Sequence, residues 1–133
     1  MTVPLSDLVR EYLARMGYAD HTVSGGLAKL VIGWEALVTS VVKGEPQDYY
    51  EYLNDMDGRR ILAEALEVAS PEERAKFAAR VDMADERLRP HLQPSVRCIW
   101  GEDVAAKRGW TPEKAWWYFH RPRVVDDSWE PSL

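Results

Sequence analysis

Apolar residues recur at helical spacing in the first part of the chain. Between Leu5 and Met16 they follow the stripe of an amphipathic helix, and Gly17 then predicts a C-cap. The next segment, from Val23 to Val42, is apolar nearly all round. As a membrane span it would place its two main charged residues, Lys29 and Glu35, near the bilayer centre, at a cost of roughly 2.5 to 3.5 kcal/mol each. We therefore expect a buried central helix of a bundle.

The middle of the chain contains a break in the hydrophobic register. Pro46 suits the first position of a helix, and apolar residues continue at helical spacing to Met56. A second stripe, from Ile61 to Ala69, is out of register with the first, and Asp57 and Gly58 lie between them. This pattern predicts a kink or a fresh helix start, with Asp57 as the N-cap.

A complete helix-start signal follows the second stripe. Ser70 is a good N-cap, Pro71 suits the first helical position and Glu73 completes a capping box. The next apolar residues predict a core-facing stripe, and they are Phe77, Val81, Ala84 and Leu88. We expect this helix to end before Pro90.

The last third of the chain predicts two shorter helices and a tail. Apolar residues from Val96 to Val104 fit helical spacing, with Gly109 as the C-cap. Thr111 begins a last helix that must finish before Pro122. From Val124 onward the chain is acidic and contains proline, which predicts irregular structure.

These elements predict an all-α fold: a single-domain bundle of five or six helices over residues 1–123, with an irregular C-terminal tail over residues 124–133. The 133 residues carry a net charge of −5, and 46% are apolar, which fits one domain with its own core. The negative charge argues against a protein whose whole surface binds nucleic acid. The single cysteine, Cys98, excludes an intrachain disulfide, and residues 1–7 show no secretory signal. We therefore expect a cytoplasmic protein without membrane association.

An acidic run between Glu45 and Asp57 contains no basic residue and is interleaved with tyrosines. Helical spacing places Tyr50 on a different face from Tyr49 and Tyr52, which share the core-facing stripe. A rigid aromatic side chain among carboxylates is typical of a surface that binds a basic protein. The candidate partner-binding residues are Asp48, Tyr50, Glu51 and Asp55. The alternative is a solvated acidic face that keeps the protein soluble.

This acidic run makes a non-enzymatic protein-interaction domain our first expectation, such as a small acidic inhibitor or immunity-type protein with a basic partner. An EF-hand loop that places Gly58 at its sixth position has Leu53 at position one, where an oxygen ligand is required. We therefore expect no metal. The three histidines are scattered and the lone cysteine has no partner in sequence, so the chain predicts no catalytic residues and no cofactor.

Residues 103–123 resemble a helix-turn-helix, and the surrounding segment from Val96 to Arg123 is locally basic. The positions that match the core and turn of that motif are Val104, Ala105, Gly109, Trp110, Ala115 and Tyr118. Trp116 and Trp117 depart from it, because a reading helix carries polar groups there to contact base edges. A DNA-binding or regulatory protein is therefore the first alternative.

Trp116 and Trp117 begin a run of four aromatic residues that is followed by His120 and Arg121. Consecutive residues point around a helix in every direction, so the run cannot all face one core. The remainder must contact the tail, a partner protein, a second copy of the chain or a ligand stacked between indoles. The second alternative is therefore an enzyme or small-ligand binder with an aromatic pocket, and its candidate residues are Trp116, Trp117, His120 and Arg121. The sequence leaves the oligomeric state open.

Overall fold

The structure is a computed structural model of the chain, and it describes residues 8–131 and residue 133. These residues form five α-helices: α1 (Leu8–Arg15), α2 (Asp20–Val42), α3 (Tyr49–Val68), α4 (Pro71–Leu88) and α5 (Glu102–Arg108). Two short strands are β1 (Leu92–Pro94) and β2 (His120–Pro122), and single 3-10 turns span Arg89–His91 and Trp116–Phe119. The expected helical bundle is confirmed in its coarse form, and it carries a small two-stranded sheet that the hydrophobic pattern did not predict.

α2 is the central helix, and α1, α3 and α4 all pack against it. Val31 and Val38 are fully buried along its length, as expected for a core helix. The backbone at Gly26 leaves the helical conformation, with φ 62° and ψ −157°, so α2 bends near its start. The predicted C-cap before it, Gly17, has a left-handed φ of 81°. The start of the α1 stripe at Leu5 lies outside the described residues.

α2 is also the one helix in the described part of the chain that is long and apolar enough to cross a membrane. That criterion uses length and composition alone, and the core helix of a bundle meets it too. In this structure α2 packs against three other helices, and 39% of its apolar window is buried.

The break predicted at Asp57 and Gly58 is wrong, because α3 runs without interruption from Tyr49 to Val68. Its N-cap is Asp48, whose side chain accepts a hydrogen bond from the backbone N–H of Glu51, so Pro46 precedes the helix. The apolar register shifts because α3 packs on different neighbours along its length: α1, α2 and α4, and the C-terminal 3-10 turn. A helix that is covered on several sides does not keep a single hydrophobic stripe.

The start predicted for α4 is confirmed. Ser70 accepts a hydrogen bond from the backbone N–H of Glu73, and Pro71 is the first helical residue. The four residues of the predicted core stripe are all buried, and the helix ends at Leu88. This boundary depends on local chemistry alone, which is why the sequence was sufficient to place it.

The two helices predicted beyond residue 95 are only partly present. Gly109 is the C-cap of α5, with φ 72°, but the helix begins at Glu102 and residues 96–100 are irregular. The last predicted helix is replaced by a 3-10 turn and by β2, which pairs antiparallel with β1. The same two segments are also joined beyond the strands, because the backbone N–H of Ile99 donates to the carbonyl of Tyr118 at 2.8 Å. These bonds join residues far apart in sequence, so helical periodicity could not reveal them.

Residues 124–131 are irregular, and they pack against the start of α3. Gln47 forms a parallel bridge with Val125, and its carbonyl accepts hydrogen bonds from the backbone N–H of Asp126 and from Nε1 of Trp129. Trp129 and Leu133 are buried. The tail therefore contributes side chains to the core.

Candidate functional site

The four predicted partner-binding residues lie near the start of α3, but in three different environments. Tyr50 is 67% exposed and Glu51 is also exposed. Asp48 is half-buried and is occupied as the N-cap of α3. Asp55, one turn after Glu51, lines a cleft between α2 and α3. The structure therefore leaves Tyr50 and Glu51 facing solvent, whereas Asp48 caps α3 and Asp55 lines the cleft.

Tyr50 is exposed but its ring does not lie free on the surface. It packs edge-on against Tyr49, with 5.3 Å between ring centroids. Tyr49 in turn packs edge-on against Trp129 at 5.0 Å, and its hydroxyl donates to the carbonyl of Ile99. Tyr50 thus rests on an aromatic support that is built partly from the C-terminal tail.

The tail also adds carboxylates to this surface. The hydroxyl of Ser128 accepts from the backbone N–H of Tyr49 at 2.7 Å, which places Asp126 and Asp127 beside the start of α3. Hydrogen bonds from the side chain and backbone of Ser128 hold the pKa of Asp126 below its usual value. We define the acidic face as Glu45, Asp48, Tyr50, Glu51, Asp126 and Asp127. Sequence reasoning missed its two tail residues, because they are more than 70 positions from the start of α3.

The cleft between α2 and α3 has a volume of about 450 Å³. Leu30, Trp34 and Leu37 give it an apolar wall on α2, and Asn54 and Asp55 line it from α3. The remaining lining residues are His21, Thr22, Lys29, Gly33 and Gly58. This size and this mixture of an apolar wall with a few polar groups are typical of small-molecule sites.

Asp55 is the unpaired charge of this cleft. Burial, together with the nearby carboxylate of Glu51, raises its pKa to about 6. In the described part of the chain, no hydrogen bond or ion pair reaches the Asp55 side chain. The opposite charge in the lining, Lys29, is occupied, because its Nζ donates to the carbonyl of His21 at 3.1 Å.

Two glycines face the cleft from opposite helices. Gly33 lies within α2 and Gly58 within α3, and neither has a positive φ. A Cβ atom built at either position meets no other atom within 4 Å, so packing does not require glycine there. Glycine inside a helix costs roughly 1 kcal/mol relative to alanine. The sequence signal was present as two mid-helix glycines, but Gly58 was interpreted as part of a helix break.

The four residues of the predicted aromatic cluster do not form a pocket together. Trp117 is buried under the guanidinium of Arg59, 4.6 Å from its ring centroid. Trp116 lies against Arg89 and His120, with 4.0 Å from the guanidinium to its ring centroid. Arg121 instead lies over Trp129, at 5.2 Å. These contacts place the cations on the ring faces where a stacked ligand would bind.

The helix-turn-helix geometry expected over residues 103–123, all of which are described, is not formed. α5 and its glycine cap match the first half of the motif, but the segment after Thr111 contains only turns, a 3-10 turn and a strand. Trp110 stacks on Tyr118 with 3.9 Å between ring centroids, which ties the turn to the core. No second α-helix is therefore available in this segment to enter a DNA groove.

Two polar networks that the sequence did not predict fix α3 to its neighbours. In the first, Asp57 accepts hydrogen bonds from the hydroxyl of Tyr118 at 2.5 Å and from Nε1 of Trp100 at 3.1 Å. In the second, Arg59 forms a buried ion pair with Asp85 at 2.8 Å, and Nε1 of Trp34 donates to the same carboxylate. Among the described residues, Nη1 of Arg59 is buried without a hydrogen-bond partner, but the other polar atoms named here are directed at one another, so we assign both networks to stability.

Within the described residues, no group of three or more His, Cys, Asp or Glu side chains could hold a metal ion. Cys98 is a buried free thiol, and burial raises its pKa. Neither feature adds a reacting group to the acidic face or to the cleft. Comparison of the chain with protein-family models, curated proteins and solved structures found no match.

Proposed function

We propose that this protein is a non-enzymatic interaction module that binds a basic protein through the acidic face. The observation that carries the proposal is Tyr50, a large aromatic side chain that is 67% exposed and yet supported by Tyr49. Tyrosine loses little conformational entropy on binding and contributes both apolar area and a hydroxyl, so it is a frequent energetic centre of protein interfaces.

The charge around Tyr50 supports a basic partner. Residues 45–51 and 124–130, which are held together by hydrogen bonds through Gln47, contain six acidic residues and no lysine or arginine. Glu130 is paired with Arg97 at 3.0 Å, but no ion pair to Glu51 or Asp127 is found in the described part of the chain. Carboxylates arranged in this way attract a positively charged surface and accelerate its association.

A nucleic-acid-processing enzyme is a suitable class of partner, because its substrate groove must be basic to bind phosphates. A small acidic protein that occupied such a groove would act as an inhibitor or immunity-type protein. Tyr50 would then insert among basic side chains, where cation–π contacts add to the binding.

The first experiment is affinity capture from a lysate of the source cells, with the wild-type chain and two single variants as baits. Tyr50→Ala removes the aromatic centre of the face. Met83→Ala is the matched control, because Met83 is about equally exposed but lies on α4 and does not belong to the acidic face. We expect one or more basic proteins to be retained by the wild type and by Met83→Ala, and to be lost with Tyr50→Ala.

The second experiment measures binding of the purified partner by calorimetry. Tyr50→Ala should weaken the affinity by at least about 30-fold, which corresponds to roughly 2 kcal/mol for an interface hot spot. Glu51→Gln should mainly slow association and reduce its salt dependence. A partner that is acidic, or that binds Tyr50→Ala as tightly as the wild type, would refute the proposal.

A further inference from the structure

We propose that the cleft between α2 and α3 binds an organic cation that combines a protonated amine with an apolar body. This inference goes beyond the interaction proposed for the acidic face, because it requires no protein partner. The cleft holds about 450 Å³, which is enough for a small amine.

The shape of the cleft separates an apolar part from a charged part. Leu30, Trp34 and Leu37 line the α2 side, and Asp55 lies on the α3 side. A ligand with an apolar body and one charged end can fill both parts at once. The apolar contacts supply affinity and the charge fixes the orientation.

The charged residues that line the cleft favour a positively charged ligand. Asp55 has no ion-pair partner in the described residues, whereas Lys29 is folded back onto the carbonyl of His21. Glu51 lies close enough to Asp55 to add to the negative potential. A carboxylate removed from water and left unpaired is stabilised by a cation and repels an anion.

The glycines keep space for the ligand. A Cβ at Gly33 or Gly58 meets no neighbouring atom within 4 Å, and both residues line the cleft, so we expect a larger side chain at either position to take up cleft volume. Two of the helix positions that line the cleft thus carry glycine, which has no side chain to fill it. This observation is independent of the charge on Asp55.

Protonation of Asp55 would remove the attraction for a cation. The titratable or charged groups around it are Glu51 and Tyr52 on α3, and His21 and Lys29 across the cleft on α2. Because burial raises the pKa of Asp55 to about 6, affinity for an amine should fall as the pH is lowered through that value.

The test is a ¹H–¹⁵N NMR titration of the full chain with 2-phenylethylammonium as the probe. The uncharged 2-phenylethanol and the anionic 3-phenylpropanoate serve as shape-matched controls. We expect the amine to shift resonances of the cleft residues with a dissociation constant on the order of a millimolar. The alcohol should bind about tenfold more weakly, and the acid should not bind.

Two variants locate the site. Gly33→Leu places a side chain in the cleft and should abolish binding, whereas Ala36→Leu adds the same side chain at an exposed position of α2 that does not line the cleft. Asp55→Asn should weaken amine binding by about tenfold or more and leave alcohol binding unchanged. Equal binding of amine and alcohol, full binding by Gly33→Leu, or no binding of the amine at concentrations on the order of 10 mM would overturn the proposal.

A lysine side chain of a partner protein also combines a protonated amine with an apolar chain. A parallel titration with Nα-acetyl-lysine methylamide distinguishes such a lysine from a free small-molecule amine. Weaker binding of this peptide mimic than of 2-phenylethylammonium supports a free amine as the ligand. The opposite order would assign the cleft to a partner's lysine and overturn the small-molecule proposal.

Discussion

Two aspartates lie beside Trp34, Asp85 on α4 and Asp55 on α3. Both are partly removed from water, but they differ in whether the carboxylate has a hydrogen-bonded partner. Asp85 is 8% exposed and accepts hydrogen bonds from two guanidinium nitrogens of Arg59 and from the indole of Trp34. Asp55 lines the cleft between α2 and α3 together with Trp34, and it receives no such bond in the described residues. One carboxylate is therefore satisfied within the fold and the other is not.

This difference separates a structural charge from a candidate binding charge. A buried carboxylate that is fully hydrogen-bonded holds helices in place. A carboxylate whose pKa is raised to about 6 without a partner costs stability when it ionises. Because Asp55 also shares its cleft with two unexplained glycines, we interpret the cost as one that ligand binding offsets.

The largest expected effect comes from breaking the satisfied pair. Arg59→Ala leaves Asp85 buried without its cation and removes the guanidinium from the face of Trp117, so it should lower the free energy of unfolding by about 3 to 5 kcal/mol. Urea denaturation followed by tryptophan fluorescence measures the change.

The exposed Arg87 of α4 provides the control, and Arg87→Ala should change stability by less than about 0.5 kcal/mol. The double variant Arg59→Met with Asp85→Leu should recover most of the loss, because no unpaired charge remains. A loss below about 1 kcal/mol in Arg59→Ala would show that the pair does not hold α3 against α4.

The second-largest expected effect is a pH-dependent change in the free energy of unfolding that is caused by Asp55, the carboxylate without a partner. The pKa of Asp55 is about 6 in the folded chain and near the ordinary value of 3.8 in the unfolded chain, so the folded state binds more protons between these values. Stability should therefore fall as the pH rises from about 4 to 6. Asp55→Asn removes the ionised form. Because solvent screens the charge of this partly exposed carboxylate, the variant should stabilise the protein by about 1 to 2 kcal/mol at pH 7 and very little near pH 4.

Denaturation at the two pH values is compared with Asp82→Asn, which changes an exposed aspartate of α4. That control should have a small effect at both pH values. If Asp55→Asn destabilised the fold at pH 7, Asp55 would have a stabilising partner and the contrast with Asp85 would disappear.

The smallest effect comes from the glycines of the cleft. Gly33→Ala and Gly58→Ala should each raise the free energy of unfolding by about 0.5 to 1 kcal/mol, because alanine favours the helix and its Cβ meets no neighbour. Gly26→Ala is the contrasting control in α2, since its φ of 62° strains alanine and should cost about 1 kcal/mol or more. Thermal unfolding of the three variants measures both directions, and a loss of stability in Gly33→Ala would mean that the cleft is more tightly packed than the structure shows.

The sequence predicted the parts of the candidate sites whose residues are close together along the chain, and it missed the parts that join distant segments. Helical spacing separates Tyr50 from the core-facing Tyr49 and Tyr52, and Tyr50 is exposed as this spacing predicts. Asp126 and Asp127 were missed, since only the bridge between Gln47 and Val125 brings the tail to α3. Asp55 was identified as a surface acid, but its raised pKa depends on burial that the sequence does not show.

The sequence by itself determined the elements whose signals are local. Ser70 and Pro71 start α4, Gly109 ends α5, and the apolar length of α2 makes it the core helix. Only the tertiary structure decided that α3 is continuous and that residues 92–94 and 120–122 pair as strands. It also decided which of the two aspartates beside Trp34 has a partner. The reason is that periodicity and capping act within a few residues, whereas strand pairing, ion pairs and clefts require contacts between distant segments.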